Sequence, residues 1–180
     1  MRVTLVCVLL LAASAAATTG PPSPAAVARG EGKARPDFSG TWELDRSKSD
    51  FGPFGGRPLA KADSTIVVTH RDPELKIART LRMNGREETR EFVYYTDGRG
   101  ETNPAAFGGP ALKTQTKWEG ERVWAYAKTT WPARDGRPAV ELETTQRWHL
   151  SSGGRTLTHA TLYVNGPVTE EMRLVYRRAG

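Results

Sequence analysis

From Asp37 onward the chain alternates large apolar and polar residues with a period of two, and turn dipeptides break the alternation at regular intervals. Phe38, Gly40, Trp42 and Leu44 alternate with Ser39, Thr41 and Glu43. The same spacing recurs through Ile66 and Val68, through Leu75, Ile77, Leu81 and Met83, and through Phe92 and Tyr94. It continues in 112–118, 123–131, 140–150, 157–163 and 172–176. Successive side chains of a strand point to opposite faces, so this pattern belongs to strands with one buried face. No stretch of ten residues holds a 3.6 period, and helix is expected only as a turn or two within 47–62. The breaks are Asn84-Gly85, Asp97-Gly98, Glu119-Gly120, Asp135-Gly136, Gly153-Gly154 and Asn165-Gly166. Asn-Gly and Asp-Gly suit two-residue hairpin turns, where both central residues take positive φ.

Hairpins in succession make a meander, and a long meander tends to close on itself so that no sheet edge is left open. The expected fold is therefore all-β: an up-and-down antiparallel barrel of about ten strands, eight at the fewest, spanning 37–178. The count of ten includes a short strand at 99–103 paired back across Asp97-Gly98. With that strand, parity puts the three longest connections, 47–62, 104–111 and 132–138, at one end of the barrel. The tight turns at 97–98, 119–120 and 151–154 then fall at the other end.

The segment before Asp37 has a different character. Arg2, an apolar run from Val3 to Ala13 and the small residues Ser14 to Ala17 have the form of a secretory signal cleaved near Ala17, too short to span a bilayer. Residues 18–36, rich in Gly, Pro, Ala and Ser, are expected to form a disordered linker. Cys7 lies inside the signal, so the mature chain is expected to have no thiol, disulfide or thiolate metal site. The expected location is the periplasm or the exterior. The net charge of +6 is spread along the chain and interleaved with Glu, which argues for solvated faces and against a nucleic-acid partner.

Gly40-Thr41-Trp42 on the first strand resembles the Gly-x-Trp signature of the lipocalins and the wider calycin group. That resemblance implies that Trp42 plugs one end of the barrel beneath an arginine of the last strand, either Arg173 or Arg177. A wider likeness runs over most of 37–177. Asp37 to Leu44, Lys48 to Pro53, Asp97-Gly98, Lys117 to Gly120, Arg147 to Ser151 and Thr156 to Thr158 look like a group of short secreted bacterial proteins described as lipocalin-like and uncharacterised. This likeness implies a fold and no mechanism.

Motifs for catalysis are missing. There is no Gly-x-Ser-x-Gly, no phosphate-cradling loop and no His-Glu-x-x-His. No residue is assigned a catalytic or metal-ligating role, and no cofactor is expected; only His159 and Glu170 offer themselves for an enzyme. His70 and His149 are expected at strand ends in solvent, whereas His159 shares a face with Leu157, Thr161 and Tyr163.

The informative signal is polar side chains on inward faces. Arg79 lies between Ile77 and Leu81, and Arg90 shares a face with Phe92 and Tyr94; Thr114, Thr116, Thr129, Thr144 and Gln146 also face in. A solid core makes such groups costly unless they are paired. A hollow barrel holding a small apolar or amphipathic molecule satisfies them. Arg79 and Arg90 would then meet the polar end of that molecule, with Tyr94, Gln146, Trp148, His159, Tyr163 and Tyr176 as walls, in a cavity of roughly 300 Å³ or more. Internal pairing of Arg79 with Glu170 is the simpler alternative. Phe51, Phe54, Phe107 and Trp131 sit on the long loops. They suit either a mouth or, if the barrel is solid, a docking patch for a partner in a non-enzymatic interaction module.

Overall fold

The computed structural model describes residues 35–56, 58–105, 109–133, 136 and 138–180. The expected signal at 1–17, nearly all of the expected linker and Phe107 lie outside the described residues. Arg35, two residues ahead of the expected domain start, already makes a 2.6 Å ion pair with Asp72 and lies over the Trp118 ring.

Ten strands form one antiparallel sheet: β1 Gly40–Leu44, β2 Asp63–Arg71, β3 Glu74–Met83, β4 Arg86–Tyr95, β5 Glu101–Asn103, β6 Leu112–Glu119, β7 Arg122–Trp131, β8 Val140–Leu150, β9 Thr156–Asn165 and β10 Val168–Arg178. Their spatial order, β4-β3-β2-β1-β10-β9-β8-β7-β6-β5, joins the first strand to the last. The fold is an up-and-down barrel with one open seam, between β4 and β5. Buried residues come from alternate positions of the strands, among them Trp42, Ile66, Val68, Leu75, Ile77, Phe92, Val123, Leu157, Met172 and Leu174. At the β3–β4 hairpin Asn84 and Gly85 both take positive φ (51° and 70°), as the dipeptide demands.

The short β5 is where expectation and structure part. It pairs with β6, through Glu101↔Thr114 and Asn103↔Leu112, and forms no ladder with β4. The chain leaves β4 toward the next strand as soon as it turns, since Asp97 bridges Lys117 of β6. Side chains span the seam instead. The Asn103 carboxamide accepts a hydrogen bond from the Val93 N–H (2.7 Å) and donates to the Val93 carbonyl (2.8 Å). This reproduces the two bonds that a neighbouring strand makes. The Glu101 carboxylate takes the Tyr95 N–H and the hydroxyls of Thr114 and Thr116.

Strict alternation of direction places the long connections 45–62, 104–111 and 132–139 at one end, together with the tight turns 84–85 and 166–167, and puts the turns 72–73, 96–100, 120–121 and 151–155, Phe38 and the last residues at the other. The first connection carries short 3-10 turns at Arg46–Lys48 and Gly52–Phe54 and a single helical turn at Pro58–Lys61. It is strapped down. Asp50 bridges Arg173 on β10, Ser49 takes the Val175 N–H on its hydroxyl, and the Arg46 guanidinium donates to the carbonyls of Ala60 and Ala62.

The short-turn end is plugged by Trp42, fully buried, whose indole N–H donates to the Phe38 carbonyl at 3.0 Å. The arginine across it is Arg178, with its guanidinium carbon 4.2 Å from the ring centroid. The expectation of Arg173 or Arg177 is corrected by strand facing. Arg177 points the other way, onto Glu43 of β1 at 2.5 Å, and Arg173 is exposed beside Asp50. The role of Gly40 follows. A Cβ there would stand 2.5 Å from Arg178 Nη1, on a backbone with φ of 136°, so only glycine leaves room for the guanidinium.

His70 also departs from expectation. It is buried at this end, between Phe38 and Trp118 with both ring centroids at 5.7 Å, because the side chains of Phe38, ahead of β1, and Trp118, on β6, cover the end of β2. Burial holds its pKa below the ordinary histidine value, against the opposing pull of Asp37 and Asp72. His149 is half-buried.

Candidate functional site

In the half of the barrel toward the long loops, the inward faces of six strands surround a hollow. Arg79 (β3), Phe92 and Tyr94 (β4), Leu112 (β6), Leu142, Thr144 and Gln146 (β8), His159, Thr161 and Tyr163 (β9) and Met172 (β10) form its wall, with Asn103 to Ala105 along the seam side. Pro104 and Trp131 are its exposed rim, Trp131 retaining 38% of its surface. The hollow holds about 650 Å³ of empty space out to its mouth, of which about 70 Å³ admits the centre of a water-sized sphere. That is room for several waters. The cavity is narrower than the expected 300 Å³ because the polar side chains reach into the space and bond one another.

Gln146 is the hub of those bonds. Its amide oxygen accepts from the Tyr94 hydroxyl (3.3 Å) and pairs with His159 Nε2 (3.0 Å). With the oxygen so placed, His159 carries its proton on Nε2. The Thr161 hydroxyl lies 3.3 Å from the same nitrogen. The imidazole lies flat on Trp148, its direct cross-strand partner, with centroids 3.7 Å apart and 5° between planes. Burial, and then the charge of Arg79, hold the His159 pKa well below the ordinary value, so the ring is neutral. Burial pushes the phenols of Tyr94 and Tyr163 up to about 12 against the pull of Arg79, so both stay protonated.

Arg79 supplies the electrostatics of the hollow. It is only 9% exposed and lies over Phe92, with the guanidinium carbon 4.8 Å from the ring centroid. No hydrogen bond or ion pair joins it to any described residue. The alternative partner, Glu170, is exposed on β10. Arg90 stands opposite Arg79 in register, and two like charges in that position repel. The two arginines diverge. Arg90 ion-pairs with Glu88 at 2.6 Å and donates to the Ala105 carbonyl at 2.9 Å, which fastens the loop after β5 and leaves Arg79 alone in the hollow.

Of the expected wall residues, Arg79, Tyr94, Gln146, His159 and Tyr163 are brought together. Trp148 stands behind His159, Tyr176 belongs to the packed core and Arg90 is occupied at the seam. Of the expected mouth residues Trp131 is at the rim. Phe51 and Phe54 instead pack onto the core, with the Phe54 ring 5.0 Å from Tyr163, so they form no exposed patch. Sequence reasoning passed over Asn103, whose short strand gave no sign that it borders a seam.

A ten-strand up-and-down barrel with one open seam, plugged at one end by a tryptophan beneath a last-strand arginine, is a calycin-type β-barrel, the fold of fatty acid-binding proteins and lipocalins. No family model matches the chain, and no curated protein does either. Solved structures do. The REP1-NXSQ fatty acid transporter superposes with a TM-score of 0.50 at 14% identity, over 80% of this chain and 97% of its own. The zebrafish ileal bile acid-binding protein in complex with cholic acid gives 0.50 at 13%, over 79% and 98%. At such identities the likeness is one of fold.

Proposed function

We propose that this barrel is a binding protein for a small amphipathic molecule whose anionic head meets Arg79. The observation that carries the reading is an arginine, nine-tenths buried as a residue, that lines the hollow with no counter-charge from the described residues. An unpaired buried charge is costly to the fold, and a ligand carboxylate removes the cost with charge-assisted, bidentate bonds. Phe92, Leu112, Leu142 and Met172 supply apolar wall for the rest of the molecule. The two structures of similar fold, a fatty acid transporter and a bile acid-binding protein complexed with cholic acid, are in keeping with such a ligand.

Competition against a bound fluorescent anilinonaphthalene sulfonate tests it. Octanoate is expected to bind at least about tenfold more tightly than octanol, the strength of a charge-assisted bond, and Arg79→Gln to erase that difference. Equal affinities in the unaltered protein would sink the reading and favour a module that docks a partner through the long-loop end.

The proposal extends to export, on the form of residues 1–17. Terminal sequencing of the protein made with its own leader is expected to start near residue 18; an intact Met1 terminus would exclude cleavage.

A further inference from the structure

We infer that the ligand is a compact monocarboxylate with a body of about five to seven carbons, and not a long-chain lipid. The inference rests on the reading of Arg79 given above and adds size and charge class.

Size comes from the hollow. Space of about 70 Å³ for water centres corresponds to about five to seven waters at some 10–15 Å³ each. A methylene group is close to a water in size, so the same space takes a chain or ring of that many carbons. The walls resist widening. His159 is clamped between the Trp148 ring and the Gln146 oxygen, Tyr94 is tied to Gln146, and Phe54 backs Tyr163. The floor is closed by the buried core around Trp42, Val123 and Leu157. A longer chain can therefore extend only outward past Pro104 and Trp131, where additional methylenes meet water and gain little.

Charge comes from the donors. Among the described residues Arg79 is the one arginine in the wall, so a single negative charge is balanced and a second is left buried without a partner. The Gln146 oxygen is already engaged by Tyr94 and His159, which leaves its NH₂ as a further donor with no described acceptor. Two donor groups of this kind recognise a head made only of acceptors, which an ionised carboxylate is and an alcohol or amide is not.

The experiment is a titration of the purified protein with saturated carboxylates of four, six, eight, twelve and sixteen carbons, below their micelle concentrations, followed by calorimetry and by intrinsic tryptophan fluorescence. Affinity is expected to climb steeply up to about eight carbons, about three- to fourfold per methylene, and then to level off or fall. Hexadecanoate should bind no more tightly than octanoate. A continued climb, with hexadecanoate tenfold or more tighter than octanoate, would overturn the size inference while leaving the Arg79 reading intact. Binding of none of the acids, or affinities unchanged in Arg79→Gln, would overturn that reading itself.

Discussion

The two ends of the barrel are built from the same strands and solve opposite problems. At the short-turn end the polar groups largely have partners. The Trp42 indole reaches the Phe38 carbonyl, Arg178 lies over that indole and donates to the Ser39 and Gly154 carbonyls, and Asp72 gathers Arg35, Thr96 and Trp118. At the long-loop end Arg79 has an aromatic face and no acceptor, and a row of inward polar groups borders a void. The closed end still leaves His70 Nε2 and Trp148 Nε1 without a partner among the described residues, so the contrast is one of charge: the cation without a counter-charge lies on the side of the hollow.

The sharpest way to break that contrast is Trp42→Ala. Loss of a fully buried indole and its hydrogen bond should cost about 3–5 kcal/mol, read from urea unfolding. A loss below about 1 kcal/mol would mean the plug carries little of the stability. Asn103→Ala tests the seam between the two ends. It leaves the Val93 N–H and carbonyl without partners, and the expected loss is about 1–3 kcal/mol, with the Val93 amide exchanging faster while amides of β9 do not. Uniform acceleration would show that the seam is no separate unit. Arg79→Met should move the other way. With the uncompensated charge gone, stability is expected to rise by about 1–2 kcal/mol while carboxylate binding is lost. A destabilised variant would place Arg79 among the structural residues.

The smallest effect is that of pH. His159 and His70 both have pKa values held below the ordinary 6.5 by burial. The unfolded chain therefore takes up protons that the folded one refuses, and stability present above pH 6.5 is lost as the pH falls beneath it. Between pH 7.5 and 6 the loss should stay under about 1 kcal/mol per histidine. His159→Gln is expected to flatten the profile more than His70→Gln, since its shift is the larger. The reverse order would show the closed end to be the more strongly buried of the two.

Much of this was legible in the residues themselves. Period-two spacing set the faces of Ile77, Arg79 and Leu81 correctly, and parity of the turns put the long loops together. Inward placement of Gln146 and His159 followed from the same alternation. What was not legible depends on neighbours far along the chain. Arg177 and Arg178 are adjacent, and only the register against β1 decides which one lies over Trp42. His70 looked solvated until Phe38, ahead of β1, and Trp118, on β6, covered it, and Phe51 and Phe54 looked like mouth residues until the first connection folded onto β10. Asn103 sits on a three-residue strand, and nothing local reveals that its carboxamide stands in for backbone.

The seam has a consequence for how the chain finds this shape. Every ladder joins consecutive strands except β1 with β10, where Trp42 meets Arg178 at opposite ends of the described sequence. That one contact carries the entropy of closing the whole loop, while each hairpin closes locally. A chain reopened near Gly98, with its old ends joined beside Ser39 and Ala179, would run β5 through β10 and then β1 through β4. Its order in sequence and its order in space would coincide, and the ring would reduce to a ribbon of hairpins folding from neighbour to neighbour.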